Sequence, residues 1–246
     1  MTVSTTQMSM ETWRALVISP KSSMAQDSYN VVVAHAQELV SLPDKPPGLT
    51  RLGSRGDGSI HLEVPYFSQH DNASGQGHRE CFSSSCAMVA AAYLPGVITS
   101  DDEWNRRRRS HGDTTSVQAQ LDTFRSIGLD ARFHTNGGQE DLKRLLLAGQ
   151  PVPFGWFHNG PWDAPRKDHG HWSLAVGWTD CEELILHDPA GAMSGKEGGA
   201  YKGVSSPNDH KMHYSFMEKR WEADGPRTGW FIDVRPPRES QARQFS

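Results

Sequence analysis

Cysteine is scarce in this sequence of 246 residues, which contains only Cys81, Cys86 and Cys181. An odd number without regular spacing excludes a disulfide-framework protein and is typical of reduced thiols in a cytosol-like compartment. Long apolar runs are also missing, and no stretch approaches the roughly 20 residues that a membrane-spanning helix needs. Because the N-terminus lacks a basic start followed by an apolar segment, we expect cytoplasmic synthesis without a signal peptide.

Strong net charge is absent as well. The formal net charge of −4 makes no electrostatic case for binding nucleic acid. The run "RRRR" at 106–109 is local, and we interpret it as the solvated end of a helix rather than a phosphate site.

With no internal repeat, the length predicts one globular domain with an appendage. We expect a monomer that needs no cofactor or metal.

Composition divides the chain into three parts. Residues 1–58 form an N-terminal extension of unknown role that ends in a linker rich in proline, glycine and charge. Residues 59–235 carry the readable helix and strand patterns and form the predicted domain. Residues 236–246 are predicted to be a disordered tail.

The predicted domain begins with helices. From Cys81, an apolar stripe at spacings of four, three and four predicts a buried helix that Pro95 and Gly96 end. The segments "TTSVQAQLDTFRSIGLD" and "QEDLKRLLLAGQP" predict two more helices, each ended by glycine.

Strands follow the helices. The period changes to two in "VPFGWF", "HWSLAVGW", "ELILHD" and "TGWFIDV". Helices followed by antiparallel strands predict an α+β domain in which the helical part packs on the sheet.

Cys81 is the candidate nucleophile. A thiol reacts as its thiolate, and the first turn of a helix favours an anion because its backbone N–H groups have no partners within the helix. Cys86 lies on the apolar stripe and is interpreted as a small buried residue. Cys181, in the polar turn "TDCEE", is interpreted as an incidental surface thiol.

A cysteine nucleophile needs a base, and strand parity selects one from twelve histidines. If Trp178 faces Glu183 across a hairpin, then His171 and Asp188 are diagonal neighbours on one face of the sheet. The carboxylate would then orient the imidazole. The same face carries small residues, which predicts a groove for the Cys81 helix. His187 falls on the opposite face unless a β-bulge exchanges the roles.

Gln69, shortly before the nucleophile, is the candidate donor to the oxyanion, together with the Cys81 N–H. The segment "GWFHNGPWDAPRKDHGHW" is rich in aromatic and turn residues and could wall a substrate groove, or it could be core at a loop edge. The substrate-binding candidates are Trp156, His158, Trp162, His169 and Trp172.

The stretches "VPYFSQ", "CFSSSCAMV", "GQPVPFGW", "GHWSLAVGW" and "LHDPAG" occur in this order. In that order they resemble papain-like cysteine peptidases of the family that processes double-glycine bacteriocin leaders, in particular its stand-alone members. The resemblance covers residues 62–233. It implies a papain-like fold with Cys81 as nucleophile, His171 as base, Asp188 as orienting acid and Gln69 at the oxyanion.

We therefore predict a cysteine hydrolase that cleaves an amide bond, with a peptide or peptidoglycan as its partner. With no transmembrane segment, transporter-linked leader processing is disfavoured, and cleavage of cell-wall peptides by a phage endolysin-like enzyme is preferred.

Three alternatives stay open. The first is a zinc amidase using Asp168, His169, His171 and His187, against which strand parity argues. The second is a non-catalytic wall-binding module. The third is an acyl transferase of the transglutaminase type, which uses the same three groups.

Overall fold

The computed structural model of the protein describes residues 59–161, 163–194, 200–201 and 209–235. The predicted extension 1–58, the candidate Trp162 and the predicted tail 236–246 lie outside the described residues. No helix in the described part is both long and apolar enough to cross a bilayer.

The helices within the described residues include all three that the sequence predicts. Their bounds are α1 Cys81–Tyr93, α2 Asp101–Arg108, α3 Val117–Ser126, α4 Gln139–Leu147 and α5 Tyr214–Trp221. The sequence patterns predicted α1, α3 and α4. The arginine run at 106–109 was interpreted as a helix end, where α2 does end, but the patterns gave no bounds for α2 and missed α5; both helices are only eight residues long.

The strands form one large antiparallel sheet and one small hairpin. Their bounds are β1 Ile60–His61, β2 Asp130–Gly137, β3 Val152–Phe157, β4 Gly170–Trp178, β5 Glu183–His187, β6 Met193–Ser194, β7 Ala200–Tyr201, β8 His210–His213 and β9 Gly229–Arg235. The large sheet has the order β2-β9-β3-β4-β5-β8, with β1 beside β4, and β6 pairs with β7. The predicted α+β class is confirmed.

Strand β2 was missed because its sequence "DARFHTNG" has few apolar side chains. It lies at an edge of the sheet, paired with β9 alone, and most of its side chains are at least partly exposed. An edge strand needs little hydrophobic surface, so its alternating pattern is weak.

Helix α1 packs on the face of β4 that carries large side chains, Leu174 and Val176. The prediction that small residues of β4 would form the groove for this helix was wrong. Ala175 instead belongs to a second core on the other face of the sheet, together with Phe154 and Leu186. Because both faces are covered, β4 is buried from His171 to its end apart from the half-buried Trp172.

The predicted register between β4 and β5 was wrong at the turn. Trp178 pairs with Leu184, one residue further along than the predicted Glu183.

A β-bulge between Ala175 and Gly177 then shifts the register by one residue. Beyond the bulge Leu174 pairs with His187, which is the predicted register. The side chains that follow, including Asp188, therefore have the predicted parity, because the bulge compensates for the error at the turn.

Candidate active site

Cys81 is the first residue of α1, and the start of this helix differs from those of its neighbours. At the starts of α2 and α3, Ser100 and Ser116 accept a backbone N–H in their side chains. Glu80, the residue before α1, makes no such bond. Its buried carboxylate instead accepts hydrogen bonds from Asn72 Nδ2 at 2.8 Å and Ser74 Oγ at 2.7 Å. The first turn of α1 thus has no side-chain cap, so its N–H groups can serve an anion.

The rest of α1 is anchored by burial and by polar contacts. Every residue from Phe82 to Tyr93 is buried, whereas Cys81 is half-buried. Ser83 Oγ lies 2.7 Å from Thr114 Oγ1, and Ser84 Oγ donates to Asp101 Oδ2 at 2.6 Å. These bonds satisfy hydroxyls that would otherwise be costly to bury, so the helix holds the thiol on a rigid support.

Cys86 is fully buried in the core. Burial raises the pKa of the Cys86 thiol well above its ordinary value, and the nearby Cys81 raises it further. A neutral, inaccessible thiol does not act as a nucleophile, so these observations favour Cys81. Cys181 is exposed.

His171 and Asp188 form the hydrogen-bonded pair that strand parity predicted. His171 Nε2 donates to Asp188 Oδ1 at 2.8 Å, and both side chains are at most 5% exposed. Ser173 Oγ donates to Asp188 Oδ2 at 3.0 Å, and the Ala190 N–H donates to Oδ1 at 2.9 Å. Three donors therefore hold the carboxylate in place.

The remaining ring nitrogen of His171, Nδ1, is available to the thiol, and Cys81 is an electrostatic and hydrogen-bond partner of this histidine. Burial by itself lowers the pKa of His171. The charges of Asp188 and Cys81 and their hydrogen bonds outweigh that effect and raise this pKa to about 10. The site therefore favours an imidazolium at neutral pH, next to the Cys81 sulfur.

Gln69 is buried and borders the same cavity as Cys81. Its backbone N–H donates to the Pro189 carbonyl at 3.0 Å, which ties it to the segment after Asp188. Its Nε2 donates to the Gly77 carbonyl at 2.8 Å. An amide nitrogen carries two N–H groups, so the second can serve the predicted oxyanion role.

The thiol opens into a cavity of about 580 Å³, a volume typical of ligand sites. His158, His169 and Trp172, three of the predicted substrate-binding residues, border it. Trp156 does not. It is 3% exposed, packs edge-on against His171 at 5.6 Å between ring centroids, and donates from Nε1 to Ser173 Oγ at 3.0 Å.

His158 lies 5.5 Å from His171 between ring centroids. Burial and the positive charge of His171 lower the pKa of His158 to about 4. A neutral imidazole therefore walls the cavity beside a charged one.

The sequence reasoning missed two residues that shape the cavity. Glu80 binds the loop before α1, as described above. Arg220 of α5 is fully buried and donates to the carbonyls of Phe157, Gly160 and Pro161 at 2.9 to 3.0 Å. It thereby holds the loop that carries His158. A buried arginine is rare, so its burial would have marked Arg220 as a residue with a special role. The neighbouring sequence does not show that Arg220 is buried.

His187 lies on the opposite face of the sheet from His171, as strand parity predicted. Its Nε2 lies 3.1 Å from Asp209 Oδ1, and His61 Nε2 lies 2.6 Å from the same oxygen. Because His187 points away from His169 and His171, the ligand set of the zinc alternative is not brought together.

Three solved structures are similar to this chain. The first is a double-glycine-motif protease from an AMS/PCAT transporter in complex with the leader peptide, at 20% identity and a TM-score of 0.44, covering 76% of this chain and 99% of that one. The second is the peptidase domain of ComA, a bifunctional ABC transporter of a Streptococcus quorum-sensing pathway, at 18% identity and a TM-score of 0.41, covering 65% and 93%. The third is a C39-like peptidase from Bacillus anthracis, at 15% identity and a TM-score of 0.48, covering 72% and 96%.

No protein-family model and no curated protein matches the chain. At this level of similarity, the function has to be argued from the geometry of this chain's own site.

Proposed function

We propose that this protein is a cysteine peptidase that cleaves an amide bond with Cys81, His171 and Asp188. The observation that carries the proposal is the unbroken series of contacts from the thiol to the imidazole to a buried carboxylate, at the uncapped start of a helix. Nucleophile, base and orienting acid are the three groups that acyl transfer requires.

In the proposed reaction, the Cys81 thiolate attacks the carbonyl carbon, and the oxyanion accepts hydrogen bonds from the Cys81 N–H and the Gln69 amide. His171 gives its proton to the leaving amine, and the C–N bond breaks to leave a thioester. Water then attacks the thioester and gives a proton to His171. The C–S bond breaks, which releases the acid and restores the thiolate.

The substrate class that we propose is a peptide, and more narrowly the stem or cross-bridge peptides of peptidoglycan. The cavity of about 580 Å³ with a half-buried Trp172 at its wall supports a peptide rather than a single amino acid.

The test is incubation of the full chain with purified peptidoglycan, followed by mass spectrometry of the fragments. New amine and carboxyl termini, formed by the wild type and not by Cys81→Ala, are expected. New reducing sugar ends would refute amide cleavage. Activity on synthetic peptides but not on peptidoglycan would retain the peptidase and refute the cell-wall substrate.

A further inference from the structure

A second, smaller cleft adjoins the catalytic cavity. Its volume is about 60 Å³, and Gly170, His171 and Trp172 border both spaces. Cys81 and Gln69 are among the residues that border the catalytic cavity and are not among those that border the small cleft. The small cleft therefore borders the imidazole of His171 but not the thiol of Cys81. We call it the Trp172–Trp230 cleft, after two of the four tryptophans that border it.

Trp172 is held in one position at the junction of the two spaces. Its ring stacks on Phe82 of α1, with centroids 3.7 Å apart and planes 10° from parallel. On the other side it lies against Gly155, where an added Cβ would come within 2.9 Å of the indole. Glycine at 155 thus lets the indole lie directly on the backbone of β3.

Trp230 also borders the cleft and is 50% exposed. Phe133 contacts both tryptophans, 6.1 Å from Trp230 and 6.4 Å from Trp172 between ring centroids. An aromatic surface thus runs from the catalytic cavity outwards along the sheet.

The walls are mainly aromatic, and several of their polar groups already have partners. The N–H groups of two further indoles at the cleft are already used: Trp156 donates to Ser173, and Trp221 donates to the Trp230 carbonyl at 2.9 Å. Asp224, the carboxylate among the bordering residues, pairs with Lys167. A small apolar group fits such a space better than a charged one.

The chemistry decides which half of the substrate reaches this cleft. His171 delivers its proton to the leaving amine, so the residue that supplies the amine lies next to the imidazole. We propose that the Trp172–Trp230 cleft binds a small apolar side chain of the residue on the amine side of the scissile bond. This inference rests on the proposed function, because it needs His171 to be the proton donor.

Acyl transfer to added amines tests this inference without knowledge of the natural substrate. A peptide p-nitrophenyl ester acylates Cys81 and releases p-nitrophenolate, and His171 gives its proton to the leaving group or to solvent, which leaves the imidazole neutral. The thioester is then attacked by water, which gives the acid, or by an added amino-acid amide, which gives a new peptide bond. In either case the proton of the attacking group passes to His171 and the thiolate leaves.

The measured quantity is the ratio of peptide to acid by chromatography and mass spectrometry, with glycinamide, alaninamide, valinamide or aspartic acid α-amide as acceptor. We expect alaninamide and valinamide to exceed glycinamide and the acidic amide by about fivefold or more. Trp230→Ala should reduce this preference to within about twofold, and Trp230→Phe should restore most of it. Val97→Ala, which also truncates an exposed apolar side chain, is the matched control and should change nothing.

Equal ratios for all four acceptors in the wild type would refute the inference while the proposed function stands. An apolar preference that survives Trp230→Ala would do the same. Absence of a p-nitrophenolate burst from folded wild type, with no acyl group on Cys81, would refute the proposed function, and this inference with it.

Discussion

Two histidine–aspartate pairs lie on opposite faces of the central sheet, and only one of them meets a thiol. His171 and Asp188 are both buried, and the pKa of His171 is raised to about 10. In the second pair His187 is buried, but its partner Asp209 is 44% exposed, and burial lowers the pKa of His187. The carboxylate outweighs the burial of the imidazole in the pair where it is itself withdrawn from water and where Cys81 adds to its effect.

The largest effect should come from removing the Cys81 thiol, which distinguishes the first pair from the second. We expect Cys81→Ala to lower turnover of a peptide substrate by about 10⁴-fold or more. Cys86→Ala is the control: it removes a buried sulfur from the same helix, should cost about 1 kcal/mol of stability, and should leave most activity. Loss of activity in folded Cys86→Ala with retention in Cys81→Ala would refute the choice of nucleophile.

The next largest effect should come from Asp188→Asn, which we expect to lower kcat by about 10²- to 10⁴-fold. The Asp188 charge raises the pKa of His171, so its loss lets the imidazolium give up its proton at lower pH. In the wild type, kcat/KM should decrease on the basic side at a pH well above the ordinary histidine pKa. In Asp188→Asn, this basic limb should therefore shift to lower pH. An unmoved limb would mean that Asp188 does not set this pKa.

The same pair should also affect stability. A pKa raised in the folded state gives stability that is fully present below the ordinary histidine value and lost as the pH rises through about 10. In Asp188→Asn, urea unfolding should show this loss at lower pH.

A smaller loss of activity is expected for Gln69→Ala. Removal of one oxyanion donor should lower kcat by about 10²- to 10³-fold with little change in KM. Labelling of Cys81 by iodoacetamide forms no oxyanion and should continue. A change confined to KM would indicate that Gln69 binds substrate instead.

His158 should affect the stability of the protein in acid more than the catalytic activity of the protein. Its pKa is lowered to about 4, so between pH 6.5 and 4 the unfolded chain binds a proton that the folded chain does not. Stability should therefore decrease as the pH falls through this window. His158→Gln should reduce the difference between urea midpoints at pH 7 and pH 5, and an unchanged difference would contradict this assignment.

The smallest effect is expected from the second pair. Asp209→Asn should leave kcat/KM within about twofold and cost at most about 1 kcal/mol in urea unfolding, since an exposed partner contributes little. A loss of activity comparable to that of Asp188→Asn would remove the distinction between the two pairs.

Local patterns predicted the elements on which the site depends. The apolar stripe and the stop at Pro95 predicted the helix that begins at Cys81, because helix bounds follow from spacing and end signals within one segment. Strand parity placed His171 beside Asp188 and away from His187. This prediction was right partly because a β-bulge at Val176 offset the register error at the turn. The sequence gives no clear indication of this bulge.

The face of β4 on which α1 packs could not be predicted, because both faces of a buried strand are apolar and the small residues favoured the wrong one. The edge strand β2 was missed because its pattern is weak, and helix α5 was missed because it is only eight residues long. The role of Glu80 was also missed, since its carboxylate turns away from the helix towards Asn72 and Ser74.

The sequence by itself determined where helix α1 begins, on which face of the sheet His171, Asp188 and His187 lie, and which cysteine is buried. These features follow from periods of 3.6 and two along the chain. Only the tertiary structure decided that the thiol meets the imidazole, that Arg220 holds the loop of His158, and that an aromatic cleft adjoins the site. Each of these joins segments that are far apart in the chain, and their meeting depends on how complete layers pack together.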